Sequence, residues 1–263
     1  MNNIKDILDN LYCIYNKIEY VHPDPLEFLY NYNDIRDREI VGFIASSLAY
    51  GRVAQILKSV SLVLDKMGPS PYIFLMNSKP SAIKNTFKGF KHRFADEKNL
   101  YAALTGLRFI LTEYGSLYDC FIKGVDEKDE TVLGCMKYFT KKISSGCTGN
   151  PGHLVPAVEK GSACKRLHLF MRWMVRKDDV DPGGWDKIPP SMLIVPLDVH
   201  MHKIGRMLGF TNRKQADIVT ALEITKGFRK LMPDDPVKYD FTLTRFGIRD
   251  DMDIDNLSQM CKL

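Results

Sequence analysis

Two residues of this chain have the types and settings for covalent chemistry. Lys165 stands in GSACKRLHLFMRWMVRKDD, in the first turns of a helix that follows Gly161. Asp198 stands in PLDVHMHKIGRMLG, 33 residues further on and just after Pro196, at the mouth of a second helix. The neutral amine of a lysine attacks an electrophilic carbon and forms a Schiff base. On a helix begun near Gly161, Leu167, Phe170, Met171 and Met174 make one apolar face, and Lys165 falls at its edge. An aspartate at a helix start caps free N–H groups, and the positive end of the helix dipole favours its charge. A carboxylate fixed in this way can stabilise an oxocarbenium ion developing at a sugar carbon. Taken singly, each residue has a plainer reading: a solvated lysine near a helix start, and a simple N-cap.

Three further stretches carry candidate site residues. Asp198, His200 and His202 suit a metal if their segment is extended, because residues two apart share one side of a strand and diverge on a helix. LDVHMHKIGRMLG has helical spacing, so the expected site has no metal. A metal-dependent hydrolase using Asp198, His200 and His202 is the competing reading. In VGFIASSLAYGRVAQI, Ser46, Ser47, Tyr50 and Arg52 interrupt a small and apolar run. They are either satisfied core groups or the lining of a substrate cleft, with Ser46, Tyr50 and Arg52 as its candidates. GFKHRF, from Gly89 to Phe94, interleaves aromatic and cationic residues, a mix that can grip a strand by stacking and charge.

The elements that must position these groups are nearly all helical. Apolar residues recur at helical spacing over 2–18, where Ile4, Ile7, Leu8, Leu11 and Ile14 share a face. Asp34 or Asp37 caps a long helix predicted to run to about Met67, ended by Gly68-Pro69. Short helices follow over 70–77, 80–86 and 97–113, with another over 130–143. Residues 144–160 are rich in breakers and read as a hinge between two helical lobes of one unit. Helices are expected over 161–177, 197–209, 213–230 and 234–248, with only Met192–Pro196 as a short extended piece and the acidic tail packed loosely. The fold class is all-α.

Composition narrows the partners. The chain has 263 residues, 45% hydrophobic and 26% charged, as in a soluble globular protein with a core. No apolar run is long enough for a membrane helix, and MNNIKDILDN is not a signal peptide. Six scattered cysteines without a CxxC fit reduced thiols in a cytoplasm and exclude a zinc or iron–sulfur motif. Residues 1–140 balance 17 Lys and Arg against 17 Asp and Glu, whereas residues 141–249 carry 19 against 11. The basic excess coincides with the Lys165–Asp198 region and suits phosphate contacts.

Together these stretches resemble the helix-hairpin-helix DNA glycosylase superfamily. PLDVHMHKIGRMLGF resembles its proline–x–aspartate–x–histidine stretch, followed by an amphipathic helix that ends in Leu-Gly. GSACKRL resembles the setting of the lysine in its bifunctional members, above all the 8-oxoguanine glycosylases. The Lys165-to-Asp198 interval is closest to the archaeal branch. The helix from Arg38 to Lys66 is similar to an early core helix beside the DNA, and DFTLTRFGI to the last core helix. The chain also resembles a bacterial family of conserved proteins carrying EKGSACKRL and PLDVH. Two departures stand out. HLVPAVEKGSACKR is longer than the LPGVGxxTA hairpin and lacks its first glycine, and Thr244 stands where the archaeal branch places an aromatic.

The resemblance implies two lobes flanking a DNA-binding cleft. It also implies a glycosylase with lyase activity on an oxidised purine in damaged duplex DNA. Lys165 is then the nucleophile, Asp198 its electrostatic partner, and His200 and Asp240 substrate contacts. Lys160, Gly161, Ser162 and Arg166 are DNA contacts, and neither a cofactor nor an obligate protein partner is required. A non-catalytic DNA-binding module on the same scaffold is the other alternative.

Overall fold

Helix is the dominant structure of the computed structural model, which describes residues 2–249 and 251–261. The chain divides into two compact units, one of residues 1–22 with 160–263 and one of residues 23–159. No described helix is long and apolar enough to cross a membrane.

The first unit begins with α1 (Asn2–Tyr15), whose Leu8 and Leu11 are buried. The unit of residues 23–159 follows. It holds α2 (Ile35–Ser47), α3 (Val53–Met67), α4 (Pro71–Asn77), α5 (Pro80–Thr86), α6 (Glu97–Tyr114), α7 (Leu117–Ile122) and α8 (Leu133–Gly146). Its only described sheet pairs β1 (Lys91–His92) with β2 (Ala95–Asp96), antiparallel, with His92 opposite Ala95. Helix α2 is buried around most of its circumference, from Ile40 to Ser47. Its two buried acids serve neighbouring backbone. Asp37 accepts from Ser70 Oγ and the Tyr72 amide, both at 2.8 Å, and Glu39 accepts from the amides of Leu117 and Tyr118 at the start of α7.

The single helix expected from Asp34 or Asp37 to Met67 is two helices. The chain leaves the helix at Leu48, and Gly51 has φ +100°, a conformation that a side-chain-bearing residue seldom adopts. Helix α3 then restarts at Val53. Tyr50, in the break, donates from its hydroxyl to the His92 carbonyl at 2.8 Å, which ties the break to the β1–β2 hairpin.

The first unit resumes with α9 (Lys165–Val175), α10 (Val199–Met207), α11 (Ile218–Leu231), α12 (Asp240–Ile248) and α13 (Ile254–Cys261). Several helices start later than periodicity suggests, because the capping residue and not the apolar pattern sets the boundary. Asp198 and Asp217 cap α10 and α11. Met192–Pro196 joins no strand; the Val195 amide donates to Thr225 Oγ1 on α11 instead. The tail is a correction to the expectation of loose packing. Ile254, Leu257 and Cys261 form the buried stripe of α13, which contacts α1 and α12.

Candidate functional site

The path into Lys165 is set by backbone. Gly161 has φ +74°, and its carbonyl accepts from the Ile218 amide at 3.2 Å, while Ser162 forms an isolated bridge with Asp217. These contacts pin the segment against the start of α11. Cys164 then adopts a left-handed conformation, φ 44° and ψ 36°, with its amide donating to Ser162 Oγ at 3.3 Å. A non-glycine residue held there is uncommon. This turn places Lys165 at the first position of α9 rather than in its interior. Lys160, Gly161 and Ser162 are exposed beside it, and Arg166 is half-buried.

Asp198 uses its two carboxylate oxygens for different tasks. Oδ1 accepts from the amides of His200 and Met201 at 2.9 and 2.8 Å, the capping geometry. Oδ2 lies 3.3 Å from Lys165 Nζ. The lysine side chain is 34% exposed and the aspartate 14%, so the pair sits at a surface with the amine on the open side. The structure therefore brings together the two residues singled out first. The cap fixes the carboxylate, and the left-handed turn at Cys164 fixes the amine.

The two histidines of the DxHxH stretch diverge, as the helical reading requires. A Cβ placed on Gly247 would come within 2.1 Å of His200 Nδ1, so that ring packs against α12 where glycine leaves room. His202 Nε2 is 2.9 Å from the Arg213 carbonyl oxygen. Among the described residues, no group of three His, Cys, Asp or Glu side chains is placed to hold a metal ion.

Behind the pair lies a polar array that sequence reasoning missed. Lys165, His168 and Arg172 recur three or four residues apart, so they share one stripe of α9, and Arg176 follows at its C-cap. The last three are buried. Arg172 donates from Nε to Asp181 Oδ1 at 3.1 Å and from Nη1 to Asp240 Oδ2 at 2.5 Å. Arg176 pairs with Asp178, Asp181 and Asp235. The DDVD loop at 178–181 folds back through its own backbone, since Asp178 Oδ1 accepts from the amides of Val180 and Asp181. The legible signal was the Arg172/Arg176 spacing just before an acidic run. Its meaning as a buried array was not.

Asp240 is thus a partner of Arg172 and only 2% exposed, rather than a group at an open surface. Burial pushes its carboxyl up to about 6 against the pull of Arg172, and the negative charge of Asp198 acts in the same direction as burial. Asp240 Oδ1 is buried without a hydrogen-bond partner. His168 is also fully buried, with neither ring nitrogen hydrogen-bonded, and burial pushes it down to about 3. It is therefore a neutral ring on the stripe between Lys165 and Arg172.

The remaining predicted residues belong to the unit of residues 23–159. Ser46 is buried and donates to the Phe43 carbonyl, which is the satisfied-core arrangement. Tyr50 is half-buried and bonded to the hairpin, and Arg52 is exposed at the start of α3.

The family described as a protein of unknown function, DUF2400, matches residues 24–249, and the chain belongs to it. No curated protein and no solved structure matches the chain.

Proposed function

We propose that the protein is a DNA glycosylase with lyase activity, of the helix-hairpin-helix type, acting on an oxidised purine in duplex DNA. The observation that carries this reading is the 3.3 Å approach of Lys165 Nζ to a helix-capping aspartate 33 residues away in sequence. The damaged nucleotide is turned out of the base stack, a common requirement for chemistry on a base within a duplex. Lys165 Nζ, once its proton has passed to solvent on its open side, attacks C1′ as the glycosidic bond to the base breaks and the bonding electrons leave with the base. Opening of the sugar ring gives a protonated Schiff base between Nζ and C1′. Loss of a proton from C2′ then expels the 3′ phosphate and nicks the strand.

The chain's own groups suit these steps. Asp198 Oδ2 faces the atom that becomes the iminium nitrogen. It is already ordered by two backbone amides, so its charge needs no reorganisation as positive charge develops at the sugar. Beside it, the outer face of α10 lines a groove of about 470 Å³ with His202, Lys203, Arg206 and Asn212, a cationic setting for phosphates.

Borohydride reduces the Schiff base to a permanent covalent adduct. Incubation with duplexes carrying single lesions should give such an adduct with the parent protein and none with Lys165→Gln, which should still bind DNA. Gln is a comparable helix former, so α9 should persist. Strand cleavage by Lys165→Gln equal to the parent on the same lesion would show that the nucleophile lies elsewhere.

A further inference from the structure

The β1–β2 hairpin presents Phe94 at its turn with 78% of its surface exposed, the most exposed of the large hydrophobics among the described residues. Single exposed apolar residues need no explanation. This one stands on a support that is fixed from beneath. His92, fully buried on the same hairpin, has Nδ1 2.9 Å from Ser59 Oγ and Nε2 3.2 Å from the Tyr50 carbonyl oxygen. Tyr50 returns the contact with its hydroxyl on the His92 carbonyl. Aromatic rings continue outward edge to face, from His92 to Tyr50, from Tyr50 to His153 and from His153 to Phe94, with centroids 4.6, 4.8 and 6.4 Å apart. The hairpin that carries the exposed ring is therefore fixed before any ligand arrives.

One cation lies over it, and others follow on the same hairpin and the elements beside it. Arg93, in a left-handed conformation at φ 51°, lies over Gly51 and brings its guanidinium 5.5 Å from the centre of the Phe94 ring. Lys91, three residues before Phe94, opens onto a groove of about 320 Å³ that is also lined by Gln55, Lys58, Lys66 and Lys88. No acid lines that groove. The two acids nearest in sequence are turned to backbone. Asp96 caps α6, and Glu97 accepts from the Gly89 amide.

We propose that this face of the 23–159 unit binds a single nucleic-acid strand, with one unstacked base on Phe94 and the adjoining phosphates on Lys91, Lys88, Lys58 and Lys66. An anchored aromatic beside a cationic groove is the arrangement that grips single strands without reading their sequence. The proposal rests on the nucleic-acid part of the function proposed above, and not on the lysine chemistry at Lys165.

Fluorescence anisotropy with labelled oligothymidine tests it, using the full chain and the variants Phe94→Ala, Phe94→Trp and Lys128→Gln. Phe94→Ala should weaken binding about five- to a hundredfold, the range for losing one stacked base. Phe94→Trp should bind at least as well as the parent, and its indole emission should fall on binding. Lys128→Gln, at an exposed cation that does not line the groove, should bind like the parent. Unchanged affinity in Phe94→Ala with unchanged emission in Phe94→Trp would overturn the proposal. So would a polyglutamate peptide that displaces the oligonucleotide and binds Phe94→Ala as well as the parent, since the groove would then be a site for acidic protein. A protein that binds oligothymidine through Phe94 but never forms the borohydride adduct sustains this inference and sinks only the glycosylase reading.

Discussion

At the scale of single residues, the site depends on one carboxylate doing two things. Asp198 Oδ1 holds the first amides of α10, and Oδ2 faces Lys165. Asp198→Asn separates these tasks. Asparagine caps a helix about as well as aspartate, so the variant should fold with a melting temperature close to that of the parent. Its fixed negative charge is gone, so base release in single turnover should slow by about a hundredfold or more, the order associated with losing a preorganised electrostatic group. The separation shows in the two readouts together. Full activity in a folded Asp198→Asn would reduce the residue to a cap. An unfolded variant would mean that the charge itself, in its setting near Asp240 and Arg172, is needed for stability.

At the scale of elements, α9 is unusual in presenting its polar stripe to the interior. His168 and Arg172 on that stripe and Arg176 at the C-cap are buried, and the two arginines are neutralised by Asp178, Asp181, Asp235 and Asp240. Removing one partner of such a pair typically costs about 3–5 kcal/mol, because the other charge remains buried. His168 is different, being neutral and without a hydrogen bond. Its folded value near 3 lies below its unfolded value near 6.5, so the unfolded chain takes up a proton first as pH falls. The stability linked to His168 is complete above about pH 6.5 and is lost as pH drops towards 3. His168→Leu should therefore gain on the parent by about 1.4 kcal/mol for each pH unit below about 6.5, read as the difference between urea midpoints converted to free energy. A difference that stays constant between pH 7 and pH 4 would mean that the ring is protonated or solvated in the fold. This array also marks where sequence reading stops. Apolar periodicity revealed most helices, and capping chemistry singled out Asp198, because both are local properties of a few residues. The break at Gly51, the helical tail and the destination of Arg172 depend on packing partners far along the chain, which no local pattern encodes. Thr244, noted as a missing aromatic, is buried in α12 with its hydroxyl on the Asp240 carbonyl, so its role is internal.

At the scale of the whole molecule, the question is whether the basic excess is free to meet phosphates. Residues 141–249 carry 19 basic against 11 acidic side chains. Arg172 and Arg176 are sequestered together with the four carboxylates that neutralise them, Arg245 is buried, and Lys238 and Arg249 are paired with Asp9 and Asp251. Lys160, Lys203, Arg206 and Lys214 are exposed in the unit that holds Lys165 and Asp198. Lys203 is lightly engaged, with Asp255 3.6 Å away at an exposed surface, a pair that salt screens readily. If about four phosphates are met by these cations, duplex binding should fall with salt along a log–log slope of about −4, since each contact releases close to one counterion. Replacing Lys203 and Arg206 together with glutamine should flatten that slope by about 2 and weaken binding similarly on every sequence, because phosphate contacts carry no base information. Anisotropy titrations of an undamaged duplex between 50 and 200 mM salt would measure both quantities. A slope near zero in the parent would point away from nucleic acid altogether and towards a small substrate at the Lys165–Asp198 pair, where the Schiff-base chemistry could still operate on a carbonyl compound.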